Sequence, residues 1–443
     1  MWNPPTSLRS FVVVWFGQVI SLLGSAMTWF ALMIWAYETT GRATPLALLG
    51  AFSFGATILF SPIAGALVDR WNRKLVMLLS DTTAGLATLL VLVLYLTGYL
   101  QIWHLYVIGL LAGIFQAFQY PAYAAAVTMM VPKAHYARAS AMLEMAWSAS
   151  TVLAPLLAGL LLGRIGVAGI MTLDLMTFLF AISSLLLVSV PQPARSSAGS
   201  EAQGTLWKES SYGFRYIRAR PSLLSFMLFF AAGNLVDYAG FTLFAPMILA
   251  RTGGNELVLG SVQSIGAIGG VVGGALLTMW GGSKRRIHGV LAGWALSSLG
   301  IVLMGIGRGL PIWLVASFAY AFFEPVVNGS SQAIWQVKVA PDVQGRVFAT
   351  QFLLSQITMP VAMVLVGPLA DRVFEPAMMP GGSLSGTFGW LVGLGPGAGM
   401  ALLCVFAGLL ATVIPLLGYA IPLVRDVEVL LPDHDGLVQE PLA

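Results

Sequence analysis

The chain has 443 residues, 58% of them hydrophobic and only 9% charged, and its mean hydropathy is +0.86. A soluble domain is about half apolar and about a quarter charged, so this composition excludes an ordinary water-soluble core and makes lipid the expected solvent. The single cysteine, Cys404, excludes an internal disulfide or a thiolate metal cluster.

Residues 1–10 carry one base, Arg9, and lead into an apolar stretch too long for a signal-peptide core. The first span, 11–37, is therefore expected to be retained. Further apolar runs follow at 44–68, 75–98, 103–131, 139–162 and 166–190. A polar stretch intervenes, and runs resume at 221–250, 257–281, 288–307, 311–339, 347–370 and 397–424. A run of about 20 residues crosses the hydrocarbon as a helix, and a helix satisfies its own backbone groups in lipid. The sequence predicts an all-α membrane protein of twelve transmembrane helices. Its expected parts are a six-helix bundle at 1–190, a cytoplasmic middle loop at 191–220, a second six-helix bundle at 221–425 and a solvated cytoplasmic tail at 426–443.

Orientation follows from the bases. With a cytoplasmic N-terminus, 17 of the 22 Lys and Arg residues fall on the cytoplasmic side. Both termini are then expected in the cytoplasm of a cell whose inner (plasma) membrane holds the chain. The net charge of +4 is a topology signal and needs no nucleic-acid partner.

The halves repeat one plan. "GALVDRWNRK" (65–74) lies over "GALLTMWGGSKRR" (274–286), each after the second span of its half. "LLAGLLLGRIG" (156–166) lies over "MVLVGPLADRV" (363–373), and "QYPAY" (119–123) over "FEPVV" (323–327). Two parallel repeats place a substrate path between them. The segment 65–74 resembles motif A of the major facilitator superfamily, Gly-x-x-x-Asp-Arg-x-Gly-Arg-Lys, matching at Gly65, Asp69, Arg70, Arg73 and Lys74. Asn72 stands where that motif has Gly; Asn tolerates a left-handed backbone, so the tight turn is expected to survive. With "YGFRYIRARP" closing the middle loop, the chain resembles the drug:proton antiporters that include macrolide-efflux and siderophore-export proteins. "APLLAG" (154–159) keeps only Pro155 and Gly159 of the antiporter motif, and the fourth span lacks the base of many proton-coupled exporters.

The resemblance implies that Asp69 latches the cytoplasmic ends of the halves, meeting the N-terminus of the eleventh helix near Val347, where a helix dipole favours an anion. Arg70, Arg73 and Arg138 would compete for Asp69 and Glu144. Arg70 and Lys74 read best as a topogenic basic loop.

A charge near the bilayer centre costs roughly 3 kcal/mol or more and marks a functional candidate. Five acids lie within spans: Asp81, Glu144, Asp174, Asp237 and Glu324. Asp81 and Glu144 lie near Arg73 and Arg138 and read as gating ion pairs. Asp174, near Arg164, is as consistent with pairing as with proton coupling. Asp237 and Glu324 stand at mid-depth of the seventh and tenth spans, which in this superfamily face the central cavity. Without a base nearby, they are the leading proton-coupling candidates, against the simpler reading of a permanently neutral acid bonded to a neighbouring helix. Substrate-cavity candidates are Gln18, Trp29, Gln116, Gln119, Tyr120, Asn234, Tyr238, Phe241, Asn328 and Gln332. Amides and aromatics suit amphiphilic or cationic molecules, although many of these aromatics are expected simply to pack.

These features favour a monomeric exporter of small amphiphilic compounds exchanging them for protons, with no cofactor and no metal. A lipid or lysophospholipid mover of the same fold is the alternative. A receptor or scaffold without transport is a third, opposed by the acids at matching depth within the spans and the small extramembrane mass. The four His residues form no nucleophile–base pair or metal spacing, and no P-loop is present, so neither an enzyme nor direct ATP drive is expected. The glycine row "GAIGGVVGGALL" (266–277) reads as close helix contact. The stretch 371–397, longer than its counterpart, reads as a flexible Gly-rich loop rather than a lid.

Overall fold

In the computed structural model, residues 8–68, 71–131, 136–188, 213–339 and 344–431 are described, and among them helices and turns occur without strands. The first half of the sequence supplies α1 (Leu8–Thr40), α2 (Ala43–Val68), α3 (Arg73–Leu96), α4 (Ile102–Met130) and α5 (Tyr136–Leu187). The second supplies α6 (Pro221–Thr242), α7 (Phe244–Thr252), α8 (Glu256–Trp280), α9 (Arg286–Ile306), α10 (Leu310–Lys338), α11 (Gln344–Gln356) and α12 (Thr358–Leu369). After a π-helical turn at Ala370–Phe374 come α13 (Glu375–Met378), α14 (Ser385–Val392), α15 (Ala398–Gly418), α16 (Pro422–Arg425) and α17 (Val427–Leu430).

Among the described residues, eleven stretches are long and apolar enough to cross a membrane, and one of them, Met145–Leu187, has 43 residues. Straight, it would measure about 65 Å, roughly twice the hydrocarbon thickness. It is broken at Gly166 (φ 66°, ψ −179°), a backbone that only glycine adopts readily. The contacts of α1 show that the chain reverses there. Trp15 Nε1 donates to the Met142 carbonyl at 2.9 Å, while Gly17 lies against Ser184 and Gly24 against Thr177. Residues 142 and 184 therefore flank the same end of α1, and α5 is two crossings joined by a hairpin. The described residues thus make twelve crossings.

The chain forms two compact units, Met1–Ala194 with Ile248–Ser264, and Arg195–Met247 with Ile265–Ala443. The first turns of α8 pack with the first unit. Gly260 lies under the Pro155 carbonyl of α5, and Ser264 Oγ donates to the Val152 carbonyl at 2.6 Å. Small residues on α8 let the two backbones approach.

In the second unit, α6 runs parallel to α9, with Gly233 against the Trp294 ring and Gly240 against Ile301. The predicted glycine row performs as expected: Gly266, Gly269 and Gly273 of α8 lie on Ser317, Phe318 and Phe322 of α10. A Cβ on Gly273 would stand 2.8 Å from the Phe322 carbonyl carbon, and backbone cannot swing aside as a side chain can. Gly273→Val should therefore cost more than the 1–3 kcal/mol typical of overpacking, seen as loss of monodisperse protein in detergent chromatography.

Two expectations about the ends of the second unit are overturned. Residues 427–431 are docked rather than free in solvent: Val424 and Val427 are fully buried in a core with Phe226, Ile287, Trp294 and Trp335, while Val429 and Leu430 stay exposed. Glu428 accepts the Ile287 backbone N–H at 3.0 Å and lies 3.9 Å from Arg286. The buried Lys338 ammonium donates to the carbonyls of Glu428 and Leu431. The segment Val-Glu-Val-Leu docks because Val427 has a core to enter and its acid meets a helix N-terminus. The stretch 371–397 is likewise built rather than a loose loop, since the eleventh span continues to Met378. The Glu375 carboxylate accepts backbone N–H groups of Gly397 at 3.1 Å and Met400 at 2.8 Å, capping α15 from across the turn.

Candidate functional site

The second unit brings Asp237 and Glu324 into one polar cluster on α6, α9 and α10. Asp237 is 4% exposed. Tyr320 donates its hydroxyl to Asp237 Oδ2 at 2.8 Å, Ser298 Oγ lies 3.4 Å from Oδ1, and Trp294 supplies a further donor. Glu324 follows Tyr320 by one helical turn, and Asn328 Nδ2, another turn on, donates to its Oε2 at 3.0 Å. The two carboxyls are close enough to interact electrostatically. Every one of these partners is neutral, so among the described residues the cluster offers hydrogen-bond donors but no cation. The expectation that Asp237 lines an open cavity is not met: it points into its own unit because Gly233 and Gly240 seat α6 closely on α9. Glu324 is half-buried and Asn328 exposed.

Around this cluster, Tyr238 donates to Gln356 Oε1 at 3.2 Å and Asn234 reaches the Ser355 carbonyl at 3.5 Å. Both contacts fall where the eleventh span is interrupted between α11 and α12. Phe241, 42% exposed, stacks on Tyr320 with ring centroids 5.4 Å apart. Gln332 is half-buried nearby on α10.

In the first unit, Asp81 on α3 gathers two of the cavity candidates. Gln18 Nε2 donates to Asp81 Oδ2 at 2.9 Å, and Gln119 Nε2 to Oδ1 at 2.7 Å. The expected ion pair with Arg73 is replaced by these amides, because eight residues separate the two by about 12 Å along one helix. Tyr123 faces Asp81, and its hydroxyl, like Gln119 Oε1, is buried without a hydrogen-bond partner among the described residues. A second acid, Asp174 on the returning limb of α5, is 3% exposed and takes donors from Ser25 at 3.0 Å and Thr88 at 3.0 Å. Gln116 is exposed on α4, and Trp29 meets Phe54 edge-on with centroids 6.1 Å apart.

Of the motif at 65–74, Gly65 lies in the last turn of α2, while Asp69 and Arg70 lie outside the described residues, as do the side chains of Arg138, Glu144 and Tyr120. Asn72 is not left-handed: at φ −67°, ψ 112° it caps α3, its side chain accepting the Leu75 N–H at 3.1 Å. Asn72→Ala should lower stability by about 1 kcal/mol, measurable as a reduced unfolding midpoint in detergent. Lys74 is more than a topogenic charge, since its ammonium donates to the carbonyls of Leu186 at 3.2 Å and Val188 at 2.7 Å, closing the end of α5. Arg73 begins α3.

Sequence reading missed Tyr320, Ser298, Ser25 and Thr88. The one available signal was spacing: Tyr320 precedes Glu324 by four residues and so shares its helix face.

Residues 14–363 match the Major Facilitator Superfamily. Macrolide efflux protein A of Streptococcus pyogenes is 24% identical over 368 residues, 82% of this chain and 90% of that protein. The enterobactin exporter EntS of Shigella flexneri is 26% identical over 318 residues, 71% of this chain and 73% of that protein. Among solved structures, a bacterial homolog of the human lysosomal transporter Spinster, inward-facing and occupied, superposes with a TM-score of 0.68 at 15% identity, covering 94% of this chain and 97% of that one. A mutant of the nucleoside transporter NupG gives 0.65 at 12% identity, covering 92% and 98%. These likenesses agree with the twelve crossings, and the chain belongs to the Major Facilitator Superfamily: it is a multi-pass membrane transporter, not an enzyme.

Proposed function

We propose that this transporter exports small amphiphilic compounds, of the macrolide, siderophore or drug kind, in exchange for protons. The observation that carries the reading is the Asp237–Tyr320 and Glu324–Asn328 cluster, two carboxyls supplied with donors and, among the described residues, no cation. An uncompensated charge is expensive in an apolar interior, and a bound proton removes that charge without disturbing the hydrogen bonds. Glu324, the less enclosed of the two, takes the proton from solvent; Asp237, held by Tyr320, biases that step through its charge. Phe241, Tyr238 and Asn328 beside Glu324 offer the amide and aromatic contacts that an amphiphile or organic cation needs. The macrolide and enterobactin relatives support export as the direction. In this reading the protein works as a monomer in the inner membrane of a bacterium, both termini cytoplasmic, and Asp69 latches the two halves as its motif implies.

Everted vesicles acidified inside and challenged with a macrolide, a catecholate siderophore, an amphiphilic cation and a lysophospholipid test this through the rate of pH-gradient discharge. Discharge by one of the first three is expected. Discharge by the lysophospholipid alone would reassign the substrate to lipid, and silence from all four would remove proton exchange.

A further inference from the structure

The Asp174 cluster is left over once the proton pathway has been assigned to the second unit. Asp174 is nearly inaccessible, yet the groups around it are hydroxyls: Ser25 and Thr28 on α1, one helical turn apart, and Thr88 on α3. Ser25 and Thr88 each occupy one carboxylate oxygen at 3.0 Å. Thr28, 5% exposed, has its hydroxyl near enough to the carboxylate to interact with it favourably, but not in the geometry of a full hydrogen bond, and it has no other partner among the described residues. A buried hydroxyl left without a full hydrogen bond costs about 1–3 kcal/mol. Gly24 lets α1 close on this point, for a Cβ there would stand 3.1 Å from Asp174 Oδ1.

We infer that Asp174, Ser25, Thr28 and Thr88 form a binding site for a sodium ion. The donor set is all oxygen, which suits hard cations. One carboxylate neutralises one monovalent charge, whereas a divalent ion would leave a net charge in the interior. Each hydroxyl keeps its lone pairs for a cation when its proton turns to a carbonyl one turn back along its own helix. Thr28 then supplies the oxygen that has no full hydrogen bond among the described residues, and the exposed Ser25 marks the side of entry. The close approach at Gly24 favours sodium over potassium by size. The site lies wholly in the first unit and is independent of proton exchange at Glu324.

The test is thermal unfolding of the purified full-length protein in detergent, titrated with NaCl, KCl or choline chloride at constant ionic strength and with no transport substrate. A ligand that binds only the folded state raises the midpoint with its concentration, so a rise specific to sodium is expected. Asp174→Asn should abolish it. Thr28→Val should weaken the apparent sodium affinity by about tenfold or more while changing the midpoint in choline chloride little, since no full hydrogen bond is lost. A purely structural cluster would show no sodium-specific rise, or the same rise in Thr28→Val as in wild type; either result, or an equal response to potassium, overturns the sodium site.

Discussion

Ending the chain at Arg425 should leave little protein that survives purification, although every transmembrane helix is retained. The lost segment places Val427 in the core and the Glu428 carboxylate on the Ile287 N–H, and it offers two carbonyls to the buried Lys338. Burial of a valine is worth about 1.5–3 kcal/mol, a helix cap about 1 kcal/mol, and acceptors withdrawn from a buried charged donor more than the 1–3 kcal/mol of a neutral one. These sum to several kcal/mol, a large share of ordinary stability. The signature is non-additive. Lys338→Met removes its contacts to the segment in the full chain but has none of them to remove in the shortened one, so it should cost measurably less stability in the latter. Equal costs in both backgrounds would show that Lys338 gains nothing from residues 428–431.

What the sequence disclosed and what it withheld divide along physical lines. Hydropathy depends on residue type alone, so the spans, the repeat and even the hairpin at Gly166, expected between 162 and 166, were legible from composition and breaks. The partners of buried acids depend on helix rotation and neighbour choice, which a single sequence does not carry. Asp81 lies close to Arg73 along the chain, yet Gln18 and Gln119 arrive from other helices to fill both its carboxylate oxygens. Asp237 has the right depth for a cavity, but glycines on its own helix turn it toward α9. The segment 427–431 misled for the opposite reason: its acid advertises solvent, while the buried Val427 decides where it sits.

Glu324→Gln should reduce substrate-driven discharge of a pH gradient to the level of vesicles lacking the protein, without loss of folded material. The amide keeps the volume of the side chain, and its oxygen can still accept from Asn328, so packing has no reason to fail; what disappears is the capacity to take up and release a proton. Exchange of labelled for unlabelled substrate across the membrane, which requires no net proton movement, should therefore survive in this variant. Asp237→Asn keeps an acceptor for the Tyr320 hydroxyl and should slow discharge less, because its effect on Glu324 is through charge rather than transfer. Tyr320→Phe should act mainly on stability, by about 1–3 kcal/mol, as it withdraws a short hydrogen bond from a buried carboxyl. The order of effects on discharge, Glu324 above Asp237 above Tyr320, follows from which group exchanges the proton and which groups only hold its neighbour. If Asp237→Asn alone silenced discharge while Glu324→Gln did not, the enclosed acid would be the carrier, and Tyr320 would have to move for the proton to reach it.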